Sequence, residues 1–390
     1  MISVAEALEA LLALADPLEV EPVPLRQAAG RVLAQDVAAT RTQPPFAASA
    51  MDGYAMRRAE VEPDAPLKVV GEAAAGHGFE GTVRPGQAVR IFTGAPVPEG
   101  TDFVVIQEDV TRRGDLITLG HNIGDKDHIR PAGGDFEAGQ KVQAPLRLRP
   151  SDVALLAAMN IAEVPVTRRP KVAILATGDE LVQPGETPGP DQIVASNSYG
   201  LAAMLEALGA EVRMLPIARD TATSLMQAFT LAQGADLLIT IGGASVGDHD
   251  LVGSTAAEMG LEQSFYKVAM RPGKPLMAGR LGDMAMIGLP GNPVSAMVCG
   301  TIFVTPVIRK MLGLGTAPAP MQQAPLAVDL GANGPRAHYM RARIKDGLLY
   351  PDNRQDSSLL SVLATADALM VRPVNDPPRK AGEEMPFLPL

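Results

Sequence analysis

Residues 235–250, ADLLITIGGASVGDHD, join a short apolar run to a glycine-rich turn and two acidic residues. The run 237–241 is apolar on both faces, which is typical of a buried parallel strand. Small residues at 242–247 let backbone N–H groups approach an anion closely, as a phosphate-binding loop requires. Asp248 and Asp250 follow at once, and carboxylates beside a phosphate suit a hard divalent cation. A tight strand-to-helix turn with solvated acids has the same composition.

Strand-like runs alternate with amphipathic helical stretches from residue 171 to residue 312. This alternation predicts βαβ units and a parallel sheet covered on both faces, which is a three-layer α/β domain. Turns rich in glycine or acid follow the strands at 177–180, at Asp220, at 242–250 and at 289–295. Ligands bind outside the carboxyl ends of the strands in such sheets, so we predict a ligand site on this edge.

The motif LPGNP at 289–293 predicts a helix start on the same edge. Asn292 can cap the helix, Pro293 suits its first position, and Ser295 falls in its first turn. Because a helix N-terminus attracts anions, this turn is a second candidate phosphate site. The preceding segment KVAMRPGKP contains three basic residues, Lys267, Arg271 and Lys274, which could bind an anion. A solvated loop would have the same composition.

The N-terminal segment and the residues around 150 carry helix signals. Ser3 and Glu6 form a capping-box pattern ahead of an apolar periodicity. The stretch LRQAAGRVL, 25–33, predicts a second helix, and residues 150–164 predict a third one with Ser151 as its N-cap. We expect these helices to pack together, with the chain between them forming an insertion.

That insertion is rich in short β-like runs separated by glycine and proline, notably over 67–110, which predicts a small β domain. Three polar residues on its turns are candidate ligands: Asp52 in MDGY, Thr93 after a strand, and Asp135 in a glycine-rich loop. An Asp-Gly hairpin turn and ordinary turn chemistry are the alternative interpretations.

The last segment, 317–390, has β-like runs that predict a small barrel or meander. Its candidate ligand residues are Arg341, Arg343 and the pair Ser357 and Ser358.

The overall composition narrows the function. A net charge of −10 argues against nucleic acid as the main partner. The single cysteine, Cys299, excludes a disulfide framework and a multi-cysteine metal site. No basic leader is evident and no apolar run is expected to span a membrane, so we expect a soluble cytoplasmic protein without a membrane partner.

Eight motifs together resemble the MoeA/gephyrin E-domain family of molybdopterin molybdenumtransferases. They occur in the family's order: SAMDGYA (49–55), IFTGAPVP (91–98), RPAGGD (130–135), ATGDEL (176–181), SNSY (196–199), GGASVGDHD (242–250), RPGKP (271–275) and GLPGNPVSA (288–296). A glycine-rich loop alone would be weak, because smaller pterin-binding relatives share it. The spread of the motifs over most of the chain makes the resemblance specific.

The resemblance implies a homodimer whose subunit is a multidomain α/β plus β protein. Its four domains would be a split helical dimerisation domain (1–42 and 140–168), an inserted β domain (43–139), a central parallel three-layer α/β molybdopterin-binding domain (169–316) and a C-terminal β-barrel (317–390).

The activity that the resemblance implies is insertion of molybdate into adenylylated molybdopterin, with Mg²⁺, releasing AMP and molybdenum cofactor. A molybdopterin adenylyltransferase is an implied partner. Catalytic roles would fall to Asp52, Asp135, Glu180, Asp220 and Asp250, the last three as Mg²⁺ ligands, and Asp52 and Asp135 would reach the partner subunit's cleft. Substrate binding would fall to Thr93, Thr177, Gly178, Ser196, Asn197, Gly242, Gly243, Ser245, Gly247, Lys267, Arg271, Lys274, Pro290, Gly291, Asn292, Pro293, Ser295, Arg341 and Ser357. Family members often carry lysine at the position of Arg271. The arginine keeps the positive charge but replaces the compact ammonium group of lysine by a planar guanidinium with several donors.

Two other functions are open at this stage. A non-catalytic pterin-binding scaffold or carrier would keep the fold, but the acidic residues favour an enzyme. A nucleotide hydrolase built on the α/β unit would not need the Asp52 and Asp135 loops or the C-terminal unit.

Overall fold

The fold is taken from a computed structural model that describes residues 1–243 and 251–390. Three predicted site residues, Ser245, Gly247 and Asp250, lie outside the described residues.

The chain begins with helix α1, Val4–Ala13. The Glu6 N–H donates to Ser3 Oγ at 3.2 Å, and the Ser3 N–H donates to Glu6 Oε2 at 2.7 Å. The predicted capping box is confirmed.

Three short strands follow α1: β1 (Val20–Pro24), β2 (Val32–Leu33) and β3 (Val37–Ala38). The predicted helix over 25–33 is wrong, because only a 3-10 turn, Leu25–Gln27, forms there. Gly30 has φ +76°, which ends helical geometry, and the next two residues pair with strands that return from later in the chain. Tertiary pairing outweighs the local helix pattern here.

The insertion contains eight strands, which form mainly one six-stranded sheet of order β8-β5-β7-β6-β10-β9. Their bounds are β4 Ala48–Ser49, β5 Gly53–Met56, β6 Pro66–Ala73, β7 Gln87–Ile91, β8 Phe103–Ile106, β9 Val110–Arg113, β10 Leu116–Leu119 and β11 Ile129–Arg130. Short 3-10 turns occupy Arg58–Glu60 and Gln107–Asp109. The β-rich character of this segment is confirmed.

The chain then returns towards its N-terminal segment. It forms β12 (Lys141–Val142), β13 (Leu146–Arg147), helix α2 (Pro150–Ala158) and β14 (Glu163–Thr167). A sheet of order β1-β14-β2-β13 joins the two segments, so they meet through strands more than through helices.

The prediction for α2 was wrong at both ends. Pro150 takes the first helical positions, so the N-cap is Arg149 and not Ser151. The helix stops at Ala158 because Asn160 adopts φ +64°, and Glu163–Thr167 is alternating and β-branched, which favours a strand.

The central unit is an α/β sheet with helices on both faces. Its strands are β15 Lys171–Ala176, β16 Leu181–Val182, β17 Ile193–Val194, β18 Glu211–Met214, β19 Leu237–Ile241, β20 Leu261–Lys267, β21 Met270–Arg271, β22 Pro275–Leu281 and β23 Met284–Leu289. Its helices are α3 Asn197–Leu208, α4 Ala222–Leu231, α5 Leu251–Glu258, α6 Pro293–Cys299 and α7 Thr305–Met311, with a π-helical turn, Gly300–Val304, between the last two.

The main sheet has the order β18-β15-β19-β23-β22-β20. The first four strands are parallel, as predicted, but β22 runs antiparallel to both of its neighbours, β23 and β20, so the expectation of a fully parallel sheet was wrong. A tight turn with Gly282 at φ +62° joins β22 to β23, and such a short hairpin can connect only antiparallel neighbours.

Helices α3, α6 and α7 share one hydrophobic cluster with the sheet, and α4 and α5 share another. Helix α1 joins the first cluster through Ala7 and Leu11. Lys310 Nζ and Arg280 Nη2 donate to carbonyls at the end of α1, each at 2.8 Å. The N-terminal helix is therefore docked on the α/β sheet.

The continuous helical stretch Pro293–Met311 is long and apolar enough to cross a membrane by length and composition, contrary to the expectation from the sequence. Most of this stretch is covered by the rest of the fold, since 72% of its most apolar part is buried. It is the core helix of the α/β unit.

The C-terminal residues form β24 (Gln322–Pro325), β25 (Ala337–Lys345), β26 (Leu348–Pro351), α8 (Leu360–Ala364), β27 (Ala368–Arg372) and β28 (Glu384–Pro389). Their sheet has the order β21-β25-β27-β28-β24, and β26 pairs with β25. Through β21 this sheet is hydrogen-bonded to the α/β unit. Closure of these strands into a barrel and the four domain limits stay predictions.

Candidate functional site

A cavity of about 1090 Å³ opens at the carboxyl ends of β15, β19 and β23. Its lining includes twelve of the predicted site residues: Thr177, Gly178, Glu180, Ser196, Asn197, Asp220, Gly242, Gly243, Pro290, Gly291, Asn292 and Pro293. The prediction that turns from separate strands converge on one edge is therefore confirmed for these residues.

Strand register causes this convergence. Ala176, Ile241 and Leu289 lie side by side in the parallel ladder at the ends of the three strands. The ladder then continues into the turns, because the Thr177 N–H donates to Ile241 O at 3.0 Å and the Gly242 N–H donates to Leu289 O at 3.1 Å. The three turns leave the sheet at the same level.

The first two glycines of the glycine-rich motif have the positive φ angles that a tight anion-binding turn requires. Gly242 has φ +91° and Gly243 has φ +65°, both in the left-handed region. A Cβ on Gly242 would lie 2.8 Å from Thr177 O. The turn thus needs glycine both for its conformation and for its approach to the neighbouring strand end.

Two carboxylates, Glu180 and Asp220, are exposed at the cavity wall. Neither forms an ion pair within residues 1–243 and 251–390. Asp179 holds their two turns together, since its carbonyl accepts from Arg219 Nη1 at 2.9 Å and its carboxylate accepts from the Asp220 N–H at 3.4 Å. The described residues contain no group of three or more metal-ligating side chains, so they alone supply at most a two-carboxylate site.

Amide side chains connect the helix start at 292–293 to its surroundings. Asn197 Nδ2 donates to Gly291 O at 2.7 Å, and Asn292 Nδ2 donates to Ser357 Oγ at 3.0 Å. The Val294 N–H also donates to Ser357 O at 3.1 Å. Asn292 and Pro293 are the N-cap and first residue of α6, as predicted. The C-terminal unit thus contributes the loop around Ser357 to one side of the cavity.

Arg341 lies behind that loop and is fully buried. Its Nη2 donates to the carbonyls of Arg354 and Asp356 at 3.0 and 2.9 Å. Its Nε and Nη1 are buried without an acceptor in the part of the chain that the structure describes. Burial lowers the pKa of Arg341, as does Arg271, against the opposing effect of two nearby aspartates. An arginine nevertheless stays charged, so this site holds a cation with unused donors.

Besides Ser357 and Arg341, five predicted binding residues of the α/β and C-terminal units do not line the cavity. Lys267, Arg271 and Lys274 lie outside the lining, although Pro275, the next residue, belongs to it. Ser295 is buried in the first turn of α6, with 3% of its surface exposed. Arg343 is exposed on β25, two residues from Arg341.

Comparison with known proteins assigns the chain along its whole length. Three family models match it: the MoeA N-terminal region (domain I and II) at residues 2–160, a probable molybdopterin binding domain at 173–310, and the MoeA C-terminal region (domain IV) at 323–390. The molybdopterin molybdenumtransferase of Nostoc sp. is 37% identical over 95% of this chain and 89% of its own. That of Haemophilus influenzae is 40% identical over 76% of this chain and 74% of its own.

This chain belongs to the molybdopterin molybdenumtransferase (MoeA) family. It is accordingly a transferase of molybdenum cofactor biosynthesis. Two crystal structures of the molybdopterin biosynthesis MoeA protein from Pyrococcus horikoshii are similar to it, with TM-scores of 0.85 and 0.83 at 29% and 28% identity. Each covers 100% of this chain, and this chain covers 99% and 100% of them. The family resemblance inferred from the motifs is confirmed.

The remaining predicted residues of this MoeA relative form a second cluster in the insertion. Asp52 Oδ1 accepts from both the N–H and the hydroxyl of Thr93, each at 2.8 Å. The backbone N–H of Thr93, and then its hydroxyl, lower the pKa of Asp52 below its usual value, so Asp52 is ionised at neutral pH. Asp135 is exposed on the loop that follows β11, the strand that pairs with β4 just before Asp52. None of these three residues lines the cavity of its own chain.

Several lining residues were missed because they carry no polar signal. Leu181, Ile193, Val194 and Leu360 are apolar, and isolated apolar residues on a turn or strand suggest core packing in a sequence. Ser198, which lies in the predicted SNSY motif, and Ser358, which was predicted together with Ser357, also line the cavity.

Gly242→Ala is expected to destabilise the fold. The substitution places a side chain in the left-handed region, at a cost of about 1–2 kcal/mol, and forces it against Thr177 O. The midpoint of thermal unfolding should fall by roughly 4 °C or more.

Gly291→Ala is the matched control, because its Cβ would meet only Gly242 Cα at an ordinary 3.5 Å. Differential scanning calorimetry of both variants makes the comparison. Equal midpoints for the two variants would show that the close turn at Gly242 is not required.

Proposed function

We propose that this enzyme inserts molybdate into adenylylated molybdopterin and releases AMP and molybdenum cofactor. The observation that carries the proposal is the cavity itself, which combines the left-handed turn at Gly242–Gly243 with the carboxylates Glu180 and Asp220, and these have no cationic partner among the described residues. A phosphoanhydride with a divalent cation is the chemical group that such a combination suits.

The phosphate groups of the substrate would lie between the Gly242–Gly243 turn and the helix start at Asn292. The Gly242 and Val294 N–H groups already donate to Leu289 O and Ser357 O, so the backbone donors would be the N–H groups of Gly243 and Asn292. Asn197, which is held by Gly291 O, orients the second turn. This arrangement fixes the phosphorus atom where the bond to AMP is broken.

Glu180 and Asp220 fit Mg²⁺, because both are exposed oxygen donors on the cavity wall and neither has a cationic partner among the described residues. Mg²⁺ usually takes few protein ligands and keeps several waters, so two carboxylates are sufficient. When bound there, Mg²⁺ would neutralise phosphate charge. Asp250, the third predicted ligand, lies outside the described residues.

Molybdate would occupy the side of the cavity formed by the C-terminal unit. The buried Arg341 is a cation whose Nε and Nη1 have no acceptor among the described residues, and its charge would attract an oxyanion across the loop 354–358. The loop 354–358 separates Arg341 from the cavity and carries Ser357, whose hydroxyl is bonded to Asn292. Lys274, next to the lining residue Pro275, would add positive charge at the entrance.

A homodimer completes the proposal. Asp52, bonded to Thr93, and Asp135 are on an exposed side of the insertion and away from the cavity of their own chain. We infer that they face the cavity of the partner subunit, where ionised Asp52 would act on the metal or the substrate. A cytoplasmic location and supply of substrate by a molybdopterin adenylyltransferase belong to the same proposal.

The test is AMP release from adenylylated molybdopterin with Mg²⁺, with and without molybdate. We expect release to depend on molybdate in the native enzyme. In Arg341→Met the KM for molybdate should rise at least about tenfold, since a charged hydrogen-bond donor is lost. Arg343→Met is the matched control, because Arg343 is exposed on the same strand.

Molybdate-independent release by the native enzyme would instead indicate a nucleotide hydrolase. Binding of substrate without any release would favour the scaffold. Equal KM values for molybdate in the two arginine variants would remove Arg341 from the oxyanion site.

The shared site is tested by mixing Asp52→Ala subunits with Asp220→Ala subunits. Each variant alone should lose nearly all turnover. Heterodimers should regain a fraction of native activity, since one of their two cavities has both carboxylates intact. The measurement is AMP release by heterodimers that have been purified through two different affinity tags, one on each subunit. An absence of rescue would place Asp52 and Asp220 in the site of the same chain, whereas full turnover by Asp52→Ala alone would place Asp52 outside any site.

A further inference from the structure

The guanidinium of Arg90, in the inserted β domain, packs on two aromatic rings. Its Cζ is 5.1 Å from the centroid of the Tyr54 ring and 4.7 Å from that of the Phe92 ring. Strand pairing causes this arrangement, because the register of β5 and β7 places Tyr54 opposite Arg90 and because Phe92 follows two residues further along the chain. Contact with ring faces stabilises an arginine and fixes the plane of its donors. The two rings therefore set the direction in which Arg90 donates.

The hydrogen bonds of that guanidinium lead to the segment around Asp52. Arg90 Nη1 donates to the carbonyl of Gly53, the residue after Asp52, at 3.0 Å. Arg90 Nη2 donates to Gln107 Oε1 at 2.6 Å, and the Gln107 N–H donates in turn to Asp52 O at 3.0 Å. One side chain thus holds the backbone beside Asp52 directly, and the backbone of Asp52 itself through one other residue.

The carboxylate of Asp52 is held by a residue that follows closely on Arg90. Its Oδ1 accepts both hydrogen bonds of Thr93, while its Oδ2 has no hydrogen bond within residues 1–243 and 251–390. The charge of Arg90 adds to the effect of the Thr93 bonds in lowering the pKa of Asp52. Arg90 through the backbone, and Thr93 through the side chain, therefore define where Oδ2 points.

Arg90 is not placed to bind the substrate itself. It does not line the cavity of its own chain, and both of its Nη groups are directed at acceptors within the insertion. A planar fork is suited to bridging two acceptors, which the compact ammonium group of a lysine does less well. Any contribution of Arg90 to the reaction therefore passes through Asp52.

We propose that Arg90 is a positioning residue of the transferase reaction, which fixes the direction in which the Asp52 carboxylate leaves the insertion. The inference rests on the proposed function, because it takes Asp52 to act on the metal or the substrate. A misplaced reacting group lowers the rate of the chemical step much more than it weakens substrate binding. Loss of Arg90 should consequently reduce kcat and leave KM nearly unchanged.

The first test compares Arg90→Met with Arg90→Lys in assays of AMP release. Arg90→Met should lower kcat about tenfold, with the KM values for adenylylated molybdopterin and molybdate within about twofold of native. Arg90→Lys should lower kcat by only about threefold, because the charge and one donor remain. The matched control is Arg113→Met on β9, the exposed edge strand of the same sheet, and it should keep the native kcat.

The second test uses the heterodimers of Asp52→Ala and Asp220→Ala subunits, in which only the Asp220→Ala subunit supplies Asp52. Arg90→Met in that subunit should lower the regained activity about tenfold. The same substitution in the Asp52→Ala subunit should have no effect, because no carboxylate is left there to position. An equal fall in both arrangements would show a purely structural role and would overturn the proposal.

Differential scanning calorimetry establishes which variants are folded. A native kcat in folded Arg90→Met, together with loss of turnover in Asp52→Ala, would overturn the proposal. If Arg90→Met does not fold, a native kcat in Arg90→Lys would overturn it equally. A fall in kcat in an enzyme whose AMP release proves independent of molybdate would support the role of Arg90 and refute only the proposed function.

Discussion

The common level at which β15, β19 and β23 end is the constraint on which the site depends. Two backbone hydrogen bonds, Thr177 N–H to Ile241 O and Gly242 N–H to Leu289 O, carry the parallel ladder past the last strand residues. A shift of one residue in either register would move a turn out of the cavity and exchange the two faces of a strand that is buried on both. The positions of the phosphate turn, of the α6 start and of Glu180 all follow from this alignment.

The C-terminal unit completes the site because it is fastened to the α/β unit at two places. Strand β21 of the α/β unit pairs in parallel with β25 of the C-terminal sheet, so that Arg271 lies opposite His338. The Ser357 loop is bonded to both Asn292 and Val294 at the start of α6. Burial, together with Arg271, Arg341 and two further arginines, lowers the pKa of His338 to about 3, so His338 is neutral and adds no charge. The positive charge near this junction therefore resides in the arginines.

Much of the site was predictable from the sequence, because glycines, acids and helix caps at strand ends have distinct local signatures. Thr177, Asp220 and Gly242 are examples, and the parallel arrangement of their strands is enough to bring them together. Features that depend on tertiary packing were not predictable. Residues 25–33 have a helical pattern, but Val32 and Leu33 pair with strands that follow more than 100 residues later. The reversed direction of β22 likewise depends on a short turn, and the sequence does not indicate which strand that turn brings alongside.

The burial of Arg341 and the exposure of Ile193 could not be foreseen for a related reason. An arginine in a strand is ordinarily a surface residue, and an isoleucine in a strand is ordinarily in the core. Here both expectations are reversed, since Arg341 is fully buried and Ile193 is more than half exposed. Both follow from tertiary contacts, because Arg341 donates to the carbonyls of Arg354 and Asp356 and Ile193 pairs with Leu181 at the edge of the cavity.

The central claim is that this edge holds the nucleotide phosphate and, on its C-terminal side, the oxyanion. Diffraction from crystals grown with AMP and molybdate, recorded at the molybdenum absorption edge, tests it most directly. The account predicts a molybdenum peak within hydrogen-bonding reach of Arg341 or Ser357, and an AMP phosphate against Gly242 and Asn292. A molybdenum peak away from the C-terminal unit, or AMP bound outside this cavity, would contradict it.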